Sequence, residues 1–274
     1  MAAKTTRCLA TTTVSLNFRG KYVSDANFKE PYFIPANSPE FLANGETFLE
    51  NNQRFRQSMR FEFYRCALDY IVENDLAGSY FEFGTHRART FSMVMSLDDF
   101  YATNHGSTGG ALTLKLGGGF MDKYFAIDSF EGWPSDTSVA EHPQYSPGGA
   151  KTSADEFLNL LTTYGQSTER VELVQGFYDK SLTKSLATRF VSDNIKASLI
   201  TVDCNLYESY KSVFAWVDQF MQPGTVLYLD DLNTFRAQPD RGPKLAFKEY
   251  KEQSNWKFEP FLPVGFWGYS FIVC

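Results

Sequence analysis

Soft metal ligands are scarce in this chain of 274 residues, which has 4 cysteines and 3 histidines. Cys8, Cys66, Cys204 and Cys274 form no Cys-x-x-Cys pair, and His86, His105 and His142 stand at no zinc-finger spacing. A disulfide framework and a zinc module are therefore excluded, and free thiols in a reducing, cytoplasmic compartment are expected. An excess of positive charge is also missing. Lys+Arg of 26 against Asp+Glu of 32 leaves a formal net charge of −6, a balance that repels phosphate backbones, so no nucleic-acid partner is expected. No apolar run reaches transmembrane length, and Met1–Leu16 holds Lys4 and Arg7 but no apolar core of a signal peptide; no membrane partner is expected. The dinucleotide-binding pattern Gly-x-Gly-x-x-Gly is absent, and so is any internal repeat.

Aromatic residues, by contrast, are abundant: 26 Phe and 15 Tyr, enough for a well-filled core in a chain of this length. Residues 1–45 are polar and irregular, with Pro31, Pro35 and Pro39 close together and a short strand at Thr11–Leu16. They read as an arm or lid, and their Phe28, Tyr32, Phe33, Ile34 and Phe41 need burial on a cleft or a second copy, so a homo-oligomer is expected. From residue 46 onward strands and helices alternate. Helical periodicity spans Glu46 to Leu76, with Phe61, Tyr64, Leu68 and Ile71 on one stripe. Strands follow at Gly78–Gly84, Tyr124–Asp128, Val171–Val174, Ala197–Asp203 and Thr225–Asp230, separated by helical segments. The chain closes on Trp256–Phe261 and Phe266–Val273, joined by a Pro263/Gly265 turn. The alternation predicts an α/β fold, a doubly wound and mostly parallel sheet ending in an antiparallel hairpin. The stretch from His105 to Gly119 reads as a glycine-rich excursion.

In such a sheet ligands bind beyond the carboxyl ends of the strands, so the residues just after each strand carry the chemistry. Glu82-Phe83-Gly84-Thr85-His86 ends the first strand; a glycine there lets a ligand approach, and the next helix offers free N–H groups. Asp128 ends the second strand, where a carboxylate can accept both hydroxyls of a ribose. Asp203-Cys204-Asn205 and Asp230-Asp231 end two more. Three carboxylates and an amide oxygen suit a hard divalent cation such as Mg²⁺. If extended geometry persists, alternation puts Asp203 and Asn205 on one face. Two other patterns lack their context. Tyr207-x-x-x-Lys211 matches a short-chain dehydrogenase pair without the Gly-rich loop, and Asp203-x-Asn205 echoes the Asp-x-Asp of glycosyltransferases without their strand layout.

Together, Glu82-Phe83-Gly84, Asp128-Ser129-Phe130-Glu131-Gly132-Trp133-Pro134, Leu173 to Leu182, Val202 to Ser209 and Pro223-Gly224 through Asp231 resemble the macrocin O-methyltransferase family, in order from about residue 46 to 274. The resemblance implies a seven-stranded methyltransferase sheet over 46–274. It also implies methyl transfer from S-adenosylmethionine to a sugar or polyol hydroxyl, with Mg²⁺. Carried over, Glu82, Phe83, Gly84, Thr85 and Thr90 would face the methionine part of S-adenosylmethionine. Asp128 and Ser129 would hold the ribose, and Gly176, Phe177 and Tyr178 would line the adenine side. Asp203, Asp230 and Asp231 would bind the metal, and Tyr207 and Glu208 would back the site. Asp203 would also serve as the base. The chain departs from the family at Ala88, where a second glycine is usual and a negative φ would be needed, and at Asn205, where the family has an acid. Asn205 is then a substrate-orienting group, with His142 a distant replacement base. The alternative is a catalytically altered protein of the same fold that binds the cofactor or acts as a scaffold subunit.

Overall fold

The computed structural model describes residues 48–104, 120–135, 145 and 147–274. The expected arm 1–45 with its strand at Thr11–Leu16, the glycine-rich stretch 105–119 and His142 lie outside the described residues.

Helix α1 (Phe48–Glu73) has no proline or glycine to interrupt it and buries Phe63, Tyr64, Ala67, Leu68 and Ile71 along one stripe. It ends where Asp75 takes φ +50° and the Leu76 N–H bonds back to Ile71 O at 3.0 Å. Strand β1 (Gly78–Phe83) leads through a tight loop to α2 (Arg89–Asn104). Then come β2 (Met121–Asp128), α3 (Ala154–Thr163), β3 (Val171–Gln175), the single turn α4 (Tyr178–Ser181), α5 (Lys184–Ser192) and β4 (Ala197–Val202). Helix α6 (Tyr207–Val217), β5 (Val226–Leu229), α7 (Gly242–Gln253), β6 (Phe258–Val264) and β7 (Gly268–Val273) complete the order. The helical segment between β3 and β4 is two pieces, α4 and α5, with Thr183 accepting from Leu186 N as the N-cap of the second.

The seven strands run in the order β3-β2-β1-β4-β5-β7-β6, and the doubly wound, mostly parallel sheet that was expected is found. The pairs from β3 to β5 are parallel, and β7 pairs antiparallel with β5 and β6. The terminal turn differs from expectation. Pro260 and Pro263 both lie inside β6, where the register is irregular, and the chain turns at 265–267. An edge strand tolerates prolines because half of its N–H groups have no ladder partner to lose.

Central strands β1 and β4 are buried at every position, so helices must cover both sheet faces. On one face Tyr80, Tyr124 and Leu199 meet α1, α2 and α3 through Tyr64, Phe91 and Phe157. On the other, Phe81, Phe83, Phe125 and Ile200 meet α5, α6 and α7 through Phe190, Phe214, Trp216 and Phe247. Aromatic rings interlock there, with Phe125–Phe190 centroids 4.5 Å apart and Phe81–Phe125 4.8 Å apart. The switch point, where the winding reverses, falls between β1 and β4. No helix among the described residues is long and apolar enough to cross a membrane.

Candidate functional site

A cleft of about 520 Å³ opens beyond the carboxyl ends of β1, β2 and β4, within the ~300–1,000 Å³ usual for small-molecule sites. Gly84, Asp128, Ser129, Phe177, Tyr178, Asp203 and Asn205 line it, so residues from four separate strand ends come together as expected. Glu208 is on the wall as well, but Tyr207 is not; its hydroxyl bonds Glu249 Oε2 at 2.7 Å. Gly176 sits just behind Phe177 at φ +129°, its carbonyl accepting from Ser181 Oγ at 2.9 Å.

The loop after β1 is tighter than the sequence suggested. Gly84 has φ +89°, and a Cβ there would stand 1.9 Å from the carbonyl oxygen of Asp203. The glycine is required by the close approach of β4, and the room it leaves is taken by that backbone rather than by a ligand. His86 and Ala88 follow with φ of +35° and +60°. The negative φ expected at Ala88 is therefore not found; the turn forces a left-handed alanine, fully buried, where a glycine would be relaxed. Nor are the N–H groups of this loop free. Asp128 Oδ2 accepts from Thr85 N at 2.7 Å and His86 N at 3.3 Å, while Oδ1 accepts from Phe130 N at 2.9 Å. Thr85 Oγ1 and Ser129 Oγ lie farther off, each 3.4 Å from Oδ2 and Oδ1 respectively. A carboxylate offers about four acceptor positions, so at most about one remains, on Oδ1, when the Ser129 proton goes to the nearer Gly132 O. That suits one ligand hydroxyl, not the pair foreseen. The hydroxyl of Ser129 is likewise committed, donating to Gly132 O at 2.9 Å and accepting from Glu131 N at 3.1 Å.

Glu82 and Thr90 are not on the cleft wall. Glu82 shares the sheet face of Tyr80 and is fully buried, with Thr90 Oγ1 donating to Oε1 at 2.5 Å and Tyr80 OH to Oε2 at 2.5 Å. Thr201 Oγ1 lies 3.1 Å from Tyr80 OH and 3.0 Å from Tyr64 OH, so one buried polar chain ties α1, β4, β1 and α2. Burial pushes the Glu82 carboxyl up to about 8, against the opposing effect of its two donors.

Asp203, Asp230 and Asp231 each offer an oxygen, and these lie within 4.8 Å of one another, close enough to share one ion. Burial, followed by the neighbouring Asp230, raises the Asp203 and Asp231 carboxyls above the usual carboxylate range. However, a basic side chain already occupies the cluster. Arg60 of α1 donates through Nη2 to Asp230 Oδ2 at 2.6 Å and through Nε to Oδ1 at 3.2 Å, and Nη2 lies 3.7 Å from Asp203 Oδ2. The Tyr228 hydroxyl also donates to Asp230 Oδ1. Both oxygens of Asp230 are engaged, so the trio, as arranged, is not the open oxygen set that Mg²⁺ requires. Asn205 does not supply the deficit. The strand stops at Val202, and Asn205 takes φ +63°, so the alternation argument for it lapses. Its Oδ1 accepts from Trp133 Nε1 at 3.1 Å, its Nδ2 lies 3.5 Å from Tyr145 OH, and its backbone N–H donates to Asp231 Oδ2 at 3.2 Å.

Sequence reasoning missed Arg60, Tyr228, His86 and the Trp133–Tyr145 pair, whose rings are 5.1 Å apart beside Asn205. His86 Nδ1 faces Ala150 O at 2.8 Å, so Nδ1 carries the proton and Nε2 is the basic atom of that ring at the cleft mouth. Two of these left a signal: Trp133 by its place in the Asp-Ser-Phe-Glu-Gly-Trp-Pro run, and His86 by its place at the end of Glu82-Phe83-Gly84-Thr85-His86.

No family model matches the chain, and no curated protein matches it in sequence. Solved structures do. The fold is similar to that of CalS11, a calicheamicin methyltransferase, with a TM-score of 0.57 and 17% identity over 86% of this chain and 87% of that one. An apo structure of CalS11, described as a TDP-rhamnose 3'-O-methyltransferase, gives 0.52 and 18% over 86% and 88%. The O-methyltransferase NovP gives 0.55 and 17% over 78% and 79%. At such identities the likeness is one of fold: a seven-stranded, Rossmann-like sheet.

Proposed function

We propose that the chain is an S-adenosylmethionine-dependent O-methyltransferase acting on a hydroxyl of a sugar or of a polyol-bearing natural product. The observation that carries this reading is the cleft at the switch point, lined by both Asp128 and Asp203, 75 positions later in sequence. The fold shared with structures named as O-methyltransferases, one of them for a nucleotide-linked sugar, supports it. The residues fit the cofactor: Asp128 keeps an acceptor position for a ribose hydroxyl, and Phe177 and Tyr178 offer aromatic faces to a purine.

When bound, S-adenosylmethionine supplies a methyl group on positively charged sulfur. The task of the chain is to hold a hydroxyl oxygen in line with that methyl, since alignment alone removes much of the barrier. Asp203 faces the cleft and would accept the proton of the hydroxyl that receives the methyl group. Asn205, braced by Trp133, orients the substrate, and Trp133 lends an apolar face to a sugar ring.

Thermal melts with S-adenosylhomocysteine test the reading. A ligand bound only by the native state adds about 2.7 kcal/mol at 100 Kd, and Asp128→Ala should shrink that shift. No shift at millimolar ligand refutes the cofactor assignment. A gain of one methyl on a glycoside, read by mass spectrometry, tests the transfer. The alternative, a cofactor-binding or scaffold subunit, is favoured by one feature: an amide held by Trp133 where the resemblance expects an acid. A ligand-induced shift without turnover supports that alternative.

A further inference from the structure

We propose that Arg60 is the resident cation of the acidic trio: its guanidinium balances and fixes the carboxylates in the place a divalent metal would take, and the centre works without bound metal. The proposal rests on the methyl-transfer reading for what the centre does, and on geometry alone for what holds it together.

The guanidinium meets Asp230 fork to fork, with Nη2–Oδ2 at 2.6 Å and Nε–Oδ1 at 3.2 Å. With the Tyr228 hydroxyl also on Oδ1, Asp230 has little capacity left for a metal. The pair is well shielded, with side-chain exposures of 23% for Arg60 and 12% for Asp230, so it is not a loose surface contact. Arg60 is also held in place from both sides of the next helical turn. Phe63, three residues on, packs its ring 4.7 Å from that of Tyr228, and Tyr64, four on, sets its hydroxyl 3.0 Å from Thr201 Oγ1. Thr201 and Tyr228 precede Asp203 and Asp230 by two residues each, so the helix that brings in the cation is docked on the same two strands that carry the acids.

Arg60 is absent from the cleft wall, whereas Asp203 is part of it. The arginine thus approaches the trio from the α1 side while Asp203 turns toward the cleft. It acts as a positioning residue. It neutralises charge and orients Asp203, but it cannot lower the pKa of a substrate hydroxyl as a coordinated metal does, so proton removal falls to Asp203 itself. A dication placed in the trio would have to displace the guanidinium or sit against it, which is Coulombically opposed at such distances.

The test is metal binding, measured apart from activity. The full chain is stripped with a chelator and titrated with Mn²⁺, free Mn²⁺ being read by electron paramagnetic resonance. Wild type should take up no Mn²⁺ at this site. Arg60→Met keeps the apolar stem and removes the cation; it should bind Mn²⁺ on the order of tenfold or more tighter than wild type, and adding Asp230→Asn should abolish the gain. Uptake by wild type that Asp230→Asn removes would overturn the proposal. So would a folded Arg60→Met with no uptake. Should Arg60→Met fail to fold, the wild-type titration with Asp230→Asn as control decides, uptake refuting the proposal and its absence supporting it. A missing response to S-adenosylhomocysteine would refute the methyl-transfer reading and leave the Mn²⁺ result standing.

Discussion

Replacing Glu82 by glutamine should make the protein less sensitive to alkaline pH. Glu82 is fully buried, and its carboxyl is pushed from an ordinary 4.5 to about 8. A group that binds its proton more tightly in the folded chain costs stability as pH rises from the unfolded value to the folded one. Below about 4.5 the carboxyl is neutral in both states and nothing is lost; between there and about 8 the unfolded chain gives up the proton first, and the folded state falls behind. At about 1.4 kcal/mol per pH unit the ceiling on that loss is about 5 kcal/mol. Relaxation and water entry around the ionised carboxylate ease charging, so about 2–4 kcal/mol is expected. Glutamine fits the same space. Its carbonyl accepts from Thr90, and its amide donates to Tyr80, whose hydroxyl is then free to donate to Thr201. Urea unfolding of both proteins at several values between about pH 5 and about pH 9 gives the difference in stability directly, and contributions common to the two cancel. The variant should match wild type to within about 1 kcal/mol at the acid end and exceed it progressively toward alkaline pH. A difference that stays flat across the range would show that Glu82 titrates alike in both states, and the buried-network argument would fail.

Gly84→Ala should be among the most damaging single methyl additions. The new Cβ would fall 1.9 Å from Asp203 O and 2.8 Å from Asp203 C, both backbone atoms that cannot rotate away, at a φ of +89°. A loss of about 3 kcal/mol or more is expected, with the S-adenosylhomocysteine shift abolished; a melting temperature within about 2 °C of wild type would contradict it. Asn205→Asp adds a carboxylate whose own backbone N–H already sits 3.2 Å from Asp231 Oδ2, and it removes the amide donor facing Tyr145. Stability should drop by about 1–2 kcal/mol relative to wild type as pH rises and the new acid ionises, and turnover should fall as substrate positioning is lost. Higher turnover in the variant would mean that the enzyme lacks a base and that Asn205 does not orient the substrate.

The order and type of the elements around the sheet were legible because strands buried on both faces must read as unbroken apolar runs bounded by glycine, proline and acids. Gly78–Phe83 and Ala197–Val202 are of that kind, polar only at Ser79, Glu82, Ser198 and Thr201. Parallel strands also end on one edge of the sheet, so Asp128, Asp203 and Asp230 had to converge once the topology was known. Occupancy was not legible. Whether a carboxylate at that edge is open or already bonded depends on donors from elsewhere in the chain. Asp128 spends most of its acceptor capacity on the loop after β1, 42 and 43 positions away, and Asp230 receives a guanidinium from 170 positions away. Local pattern could not mark Arg60, since a lone arginine on a helix reads as a solvated position. Only the docking of α1 across β4 and β5 turns it inward. Glu82 shows the same division. Its place at the end of a strand was clear from the sequence, but which face it took followed from the β1 pleat, and what met it there from the docking of α2. Periodicity within a segment fixes the face a side chain takes. The partner it finds, and so whether it is a ligand, a base or a buried brace, is set by contacts that only the closed fold brings within bonding distance.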